Sequence, residues 1–180
     1  MSKITVWREG HPEATERVTE DGDEIAAILQ VIGVTFERWP TRTLPGDATP
    51  DAVLGAYGDE IGRLSRDGGY KSADVIRLAK GTPNTDAMRQ KFLDEHVHGE
   101  DEVRFFVEGS GAFYLHAGGK VHQCICTTGD LIRVPANTRH WFDMGPTPAF
   151  TAIRLFTNPE GWVAQFTGDA IARRFPFYAS

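Results

Sequence analysis

His96, His98, Glu102 and His140 are the residues of this chain whose types and spacing could hold a metal ion. Residues two apart on an extended segment share a face, so His96 and His98 can present both imidazoles to one point while Val97 faces away. Gly99-Glu100-Asp101 supplies a short turn that can return the Glu102 carboxylate to that point. His140 would join from a later strand, just past Pro135-Ala136-Asn137. Three imidazoles and a carboxylate suit a borderline divalent transition ion, and an octahedral ion held this way keeps two positions open for substrate or oxygen. Cys124 and Cys126 lack the second pair that a structural zinc site would need. The competing reading of His96-x-His98 is an exposed acidic turn, because Asp94 to Glu102 holds five carboxylates. Glu102 and His140 weigh against it.

Strand parity extends the constellation. If Glu102 points to the metal, Arg104 and Phe106 share its face, which brings a guanidinium beside the ion. A buried arginine is costly unless an anion meets it, so Arg104 pairs either with an anionic ligand or with a nearby acid. Phe142 follows His140 on the inner face by the same rule. Farther on, Phe150, Ala152, Arg154 and Phe156 share one face, and Ile153 and Leu155 the other. Turned inward, the first face borders the site with an apolar wall and a second arginine; turned outward, it leaves Ile153 and Leu155 to fill the core. Glu95 and Asp101 flank the ligands and read equally as solvated acids. His11, His116 and His122 have no matching carboxylate spacing and read as surface or edge residues, and Trp162 as a core or lid residue.

These residues need elements to position them. The first 83 residues look helical and loop-rich: Asp21-Gly22-Asp23 offers N-cap side chains, Ile25, Ile28, Leu29 and Ile32 recur at helical spacing, and Gly33 stops the run. Val34 to Trp39 is β-prone, and Thr41 to Thr49 reads as an exposed loop. A second helix is expected from Thr49 and Pro50 through Val53, Tyr57 and Leu64 to Asp67-Gly68-Gly69, weakened by Gly55, Gly58 and Gly62. Ala73 to Ala79 could be a strand, and a third helix spans Asp86 to Leu93. From Val103 onward short β-prone runs follow one another: Val103–Glu108, Ala112–His116, Val121–Cys126, Asp130–Val134, His140–Phe142 and Phe150–Phe156, separated by turn residues such as Gly109-Ser110-Gly111. That texture predicts an antiparallel sandwich or barrel, with helices returning at Asn158–Gln165 or Asp169–Arg173. The expectation is one domain, residues 1–93 packing as a helical part on a metal-binding core of residues 94–180.

Composition excludes several function classes. With 180 residues, 41% hydrophobic, the chain can build its core without disulfides, and its two cysteines read as reduced thiols. A net charge of −6 and no basic run argue against nucleic acid or an anionic membrane as partner. Met1 to Gly10 does not resemble a signal peptide, and no apolar run approaches the ~18 residues of a spanning helix. A soluble, cytoplasmic, monomeric protein is expected.

The quartet and its strand-rich context resemble a known family. His96-x-His98-x3-Glu102-x6-Gly109 resembles the first cupin motif, and Gly129-x5-Pro135-x-Asn137-x2-His140 the second. Asn137 stands where a glycine is usual, so it must accept the turn conformation, which asparagine tolerates better than most residues. Within the cupins, the strings His96 to Arg104 and Pro135 to Asp143, together with Ile153-Arg154-Leu155-Phe156 and Trp162, resemble the bacterial acireductone dioxygenases of methionine salvage. The resemblance implies a mainly β fold, a jelly-roll β-barrel with N-terminal and peripheral α-helices, and one iron(II) or nickel(II) per chain held by the quartet. It implies that an acireductone is cleaved with dioxygen, with Arg104 stabilising the substrate dianion. Phe142 and Arg154 would border the substrate, and Trp162 would pack on its methylthio tail. Glu95 and Asp101 would serve metal incorporation and local conformational coupling. Iron is associated with 4-methylthio-2-oxobutanoate and formate, nickel with 3-methylthiopropanoate, formate and carbon monoxide. The rival readings are another cupin dioxygenase, acting on a thiol or catechol-like substrate, and a metal-dependent small-molecule-binding cupin.

Overall fold

A computed structural model describes residues 1–158 and 161–179. Its antiparallel strands are β1 (Lys3–Arg8), β2 (Thr15–Thr19), β3 (Thr35–Arg38), β4 (Ser72–Leu78), β5 (His96–Val97), β6 (Glu102–Ala117), β7 (Lys120–Thr127), β8 (Asp130–Val134), β9 (Arg139–Asp143), β10 (Phe150–Phe156) and β11 (Gln165–Phe166). One face of the barrel runs in the order β11-β5-β9-β6-β7-β1-β2. The other is built from β3, β8, β6, β10 and β4. This is the jelly-roll β-barrel of the cupins, mainly β with peripheral helices.

The long strand β6 belongs to both faces. Glu102 to Phe105 pairs with β8 and Val103 to Gly109 with β10, whereas Ser110 to Ala117 pairs with β7. The two β-prone runs on either side of Gly109-Ser110-Gly111 are therefore one strand that bends, and the expected turn between them is absent. Gly109 sits at φ +78°, and a Cβ there would collide with the Ala149 carbonyl, so only glycine permits the bend.

Three apolar layers fix which way each strand faces. Between the two faces lie Ile4, Val6, Phe36, Phe113, Leu115, Cys124, Ile132 and Ala152. Outside the β10 face, Val103, Phe105, Leu131, Ile153 and Leu155 pack under Val53, Tyr57 and Leu64. Outside the β9 face, Trp7, Tyr114, Val121 and Trp141 lie under Ile171, Ala172 and Phe175 of the C-terminal segment. Ile153 and Leu155 thus point away from the barrel interior, and Arg154 lines the interior cavity.

The helices largely follow their local signals. In α1 (Gly22–Gln30) the Asp21 carboxylate accepts from the Asp23 and Glu24 amides at 3.0 and 2.9 Å, and Ile25 and Leu29 are buried. The long helix expected after Thr49 is instead two, α2 (Pro50–Ala56) and α3 (Gly58–Gly68), broken at Tyr57, whose φ of −112° and ψ of 23° are not helical. Tyr57 is fully buried against Phe105, and its hydroxyl accepts from the Arg42 amide at 3.1 Å; this tertiary packing overrides helical continuity. The fourth helix, α4, spans Thr85–Phe92.

Residues 1–93 differ most from expectation. They contribute four strands, and β1 lies inside a sheet between β2 and β7, so this part is built into the barrel as well as packed on it. Alternating Ile4 and Val6 carry the strand signal, since both point into the core. At the other end, the expected helix Asn158–Gln165 includes Pro159 and Glu160, which lie outside the described residues. Residues 161–164 have no regular structure, and Gln165 opens β11. A short 3₁₀ turn, Ile171–Arg174, stands near the expected Asp169–Arg173 helix.

Candidate metal centre

β5 places His96 directly opposite His140 on β9, and His98 and Glu102 arrive from the turn that joins β5 to β6. All four side chains are buried, and one ligand atom from each lies within 4.8 Å of the others. The turn carrying His140 is locked to the turn carrying His98, because the Asn137 amide donates to the His98 carbonyl at 2.8 Å. Asn137 adopts φ +63°, the left-handed conformation expected where glycine is usual. Asp101 tightens the same junction by accepting from the Ala136 amide at 3.1 Å and from the Tyr70 hydroxyl at 2.8 Å.

Hydrogen bonds decide which nitrogen each imidazole offers. His96 Nδ1 reaches the Asp94 carbonyl at 2.8 Å, His140 Nδ1 the Thr138 carbonyl at 2.8 Å, and His98 Nδ1 the Val163 carbonyl at 3.0 Å. A carbonyl only accepts, so each Nδ1 carries hydrogen and each Nε2 lone pair is left for the centre. His98 Nε2 and His140 Nε2 then face the same Glu102 Oε2 at 3.0 and 3.1 Å. Acceptors so close require a cation between them, a proton or a metal ion. The pattern of ionisation agrees. Burial opposes a charge on His98, but its contact with Glu102 outweighs burial and raises its pKa. At His96, burial prevails and pushes the pKa down to about 4. Burial alone would raise Glu102, but Arg104, His140 and His98 hold it well below the usual carboxylate range. An anionic carboxylate and three imidazoles with inward lone pairs fit a divalent transition ion.

Arg104 lies on the inner face of β6, as parity requires. Its Nη2 donates to Glu102 Oε1 at 2.9 Å, while its Nε is buried without an acceptor. The acid that meets it is thus a candidate ligand itself, and the buried Nε–H remains unused. The guanidinium carbon lies 4.3 Å from the Phe142 ring centre and 5.7 Å from that of Trp162.

His96, His98 and Glu102 of the quartet line a cavity of about 420 Å³. Arg154 lines it, held by Asp74 through bonds of 2.8 and 2.6 Å, and so do Phe142 and Trp162. Sequence reasoning missed Asp74, Ile76, Met88, Phe92 and Met144 as lining residues; β4 and α4 bring the first four from the segment read as peripheral. Parity along β10 already placed Phe150 on the Arg154 face.

Of the two flanking acids, Asp101 is partly exposed and Glu95 is buried. Glu95 is only 1% exposed; its Oε2 lies 2.5 Å from His116 Nδ1 and its Oε1 accepts from the Thr167 hydroxyl at 2.8 Å. His116 and His122, expected at the surface, are both buried: His116 is bridged between Glu95 and Glu9, and His122 rests on the Leu115 carbonyl. His116 stands on β6 and His122 on β7, on opposite faces of the sheet, and the spacing of carboxylates along the chain could not show that Glu9 and Glu95 converge on His116.

Comparisons with known proteins agree with this geometry. The model of the ARD/ARD' family matches residues 17–164. An acireductone dioxygenase of Marinobacter nauticus is 55% identical over 180 residues, covering 100% of this chain and 97% of that protein. One of Parvibaculum lavamentivorans is 55% identical over 181 residues, covering 100% and 98%. Among solved structures, the acireductone dioxygenase from Bacillus anthracis with a cadmium ion in its active centre matches with a TM-score of 0.82 at 34% identity, covering 92% of this chain and 98% of that one. The motif strings, the barrel and the buried quartet meet in one assignment: this chain belongs to the ARD/ARD' family.

Proposed function

We propose that the protein is a metal-dependent dioxygenase that cleaves the acireductone 1,2-dihydroxy-5-(methylthio)pent-1-en-3-one, acting as a monomer with one iron(II) or nickel(II) per chain. The observation that carries this reading is Arg104, a buried guanidinium with an unused donor, on the same cavity as a buried quartet of three histidines and a glutamate. When bound, the ion supplies positive charge and open positions for an ene-diol and dioxygen.

The chain's own residues do the rest. His96, His98, His140 and Glu102 form the ligand set, and the Asp94, Thr138 and Val163 carbonyls keep the imidazole lone pairs aimed inward. Arg104 favours the deprotonated ene-diol, because a guanidinium in a water-poor cavity lowers the cost of an oxyanion beside it. Arg154, neutralised by Asp74, adds a polar edge without a second net charge. Ile76, Met88, Phe92, Met144 and Phe150 form an apolar wall suited to the methylthio tail and to excluding water. With iron the products are 4-methylthio-2-oxobutanoate and formate; with nickel they are 3-methylthiopropanoate, formate and carbon monoxide. Both sets account for every atom of the acireductone and one dioxygen. The same N and O ligands accept either ion, so the metal loaded decides the outcome.

The test is to strip the protein of metal, reload it separately with iron(II) or nickel(II), and follow oxygen uptake and products with the acireductone. Metal-dependent uptake with the two product sets is expected. Absence of turnover with both ions overturns the reading.

A further inference from the structure

Among the described residues, three buried side-chain polar atoms have no hydrogen-bond partner: Glu60 Oε2, Arg104 Nε and Trp162 Nε1. Two of the three belong to residues lining the same cavity. A buried donor without an acceptor is costly, so two of them on residues that line one cavity point to a ligand that brings acceptors. Arg104 is the expected anion partner. Trp162 is not accounted for by packing on an apolar tail, because its surroundings are of the wrong kind.

The Trp162 ring stacks on His98, with centres 6.2 Å apart and planes 30° from parallel. It also lies 5.7 Å from the Arg104 guanidinium and 5.6 Å from that of Arg154, and it meets Phe156 at 4.7 Å. Its neighbours are thus Phe156, a candidate metal ligand and the two arginines of the cavity. The apolar wall of Ile76, Met88, Phe92, Met144 and Phe150 is made by α4, β4 and the β9–β10 region instead. Trp162 also lines a second, smaller cavity of about 220 Å³ beside Gly99, Glu100 and Gln165, so it forms a partition between the two.

We propose that the Trp162 indole N–H is a hydrogen-bond donor to an oxygen of the substrate's ene-diol-one head, acting with Arg104 at the polar end of the cavity, and that the methylthio tail lies elsewhere. The inference rests on the function proposed above and assigns Trp162 to the opposite end of the substrate from the one the family resemblance suggested. Bonds from a neutral donor to a charged oxygen are among the stronger ones, so this donor contributes roughly tenfold or more to affinity.

The experiment is anaerobic binding to the metal-loaded protein, read by the substrate's ultraviolet absorbance, for the acireductone and for an analogue lacking the methylthio group. Wild type is compared with Trp162→Phe, which keeps an aromatic ring and loses the N–H. The expected result is about tenfold weaker binding of both compounds, with metal content unchanged. A loss seen with the methylthio compound and absent with the analogue would make Trp162 a wall for the tail and overturn the inference; equal affinities of wild type and variant would do the same. Should wild type bind neither compound, the proposed function falls and the inference with it, whereas normal wild-type binding with an unaffected variant removes only the inference. In wild type itself, the ultraviolet resonance Raman band sensitive to indole N–H bonding should shift on anaerobic addition of substrate, with the Trp162 contribution identified by difference from the variant. An unshifted band means the N–H makes no bond to the substrate and overturns the proposal even if the variant folds poorly.

Discussion

Two histidine–carboxylate clusters with buried imidazoles lie on opposite sides of one strip of sheet, and only one of them is built for a metal. In the first, His96, His98 and His140 each give Nδ1 to a backbone carbonyl, so that their Nε2 atoms converge with Glu102. In the second, His116 commits both ring nitrogens to carboxylates, Nδ1 to Glu95 at 2.5 Å and Nε2 to Glu9 at 2.8 Å. Its two acids lie on different sides of the ring and share no point where an ion could sit. Competence for metal therefore depends less on how many imidazoles and carboxylates are buried than on which nitrogen the backbone leaves free.

The comparison breaks if the clusters prove interchangeable. His140→Ala removes a converging nitrogen, and metal binding should weaken by more than ~100-fold, since losing even an outer-sphere partner costs 10–100-fold; titration of apo protein with nickel(II) measures it. His116→Ala should keep its metal and instead lose about 1–3 kcal/mol of stability in urea denaturation, because Glu95 Oε2 is left buried without its hydrogen-bond partner. Metal loss in the second variant, or full metal content in the first, would contradict the division of labour drawn here.

His122 sharpens the contrast, as a buried histidine with no carboxylate partner. Burial, with Lys120 adding to it, holds its pKa below the ordinary histidine range. The unfolded chain therefore takes up a proton near pH 6.5 that the folded protein refuses, so stability is unaffected above that pH and declines as pH falls below it. His122→Gln should flatten this part of the pH–stability curve, measured by thermal melts of wild type and variant from pH 8 to 5. An unchanged slope would mean that His122 is charged in the fold. The smallest effect is expected at Tyr70→Phe, which removes the hydroxyl donated to Asp101. Stability should fall by about 1 kcal/mol with metal retained, as measured by denaturant unfolding and metal analysis.

The quartet was legible because its spacing and strand parity are local properties: His96 and His98 share a face, Arg104 follows Glu102, and Phe142 follows His140. The same is true of α1, whose cap and apolar repeat lie within a dozen residues. What escaped was whatever another part of the chain decides. His116 and His122 are buried because β1 and β9 flank the β6–β7 pair, and Tyr57 breaks a helix because Phe105 and the Arg42 amide claim its side chain. Local alternation in Ile4-Thr5-Val6 did signal β1, but its lone position ahead of a helical stretch hid it. For β10, both faces carried large side chains, so only the covering helices could tell Ile153 and Leu155 from Arg154.

His98 owes its orientation to Val163, whose carbonyl is made 65 residues later than the imidazole it holds. On the ribosome, where chains emerge and fold from the N-terminus onward, His96, His98 and Glu102 leave the tunnel well before that support does. The nascent chain thus carries an unsupported ligand strand until Val163 crosses the barrel, and the ion-binding centre is completed only after β6 to β10 have been made.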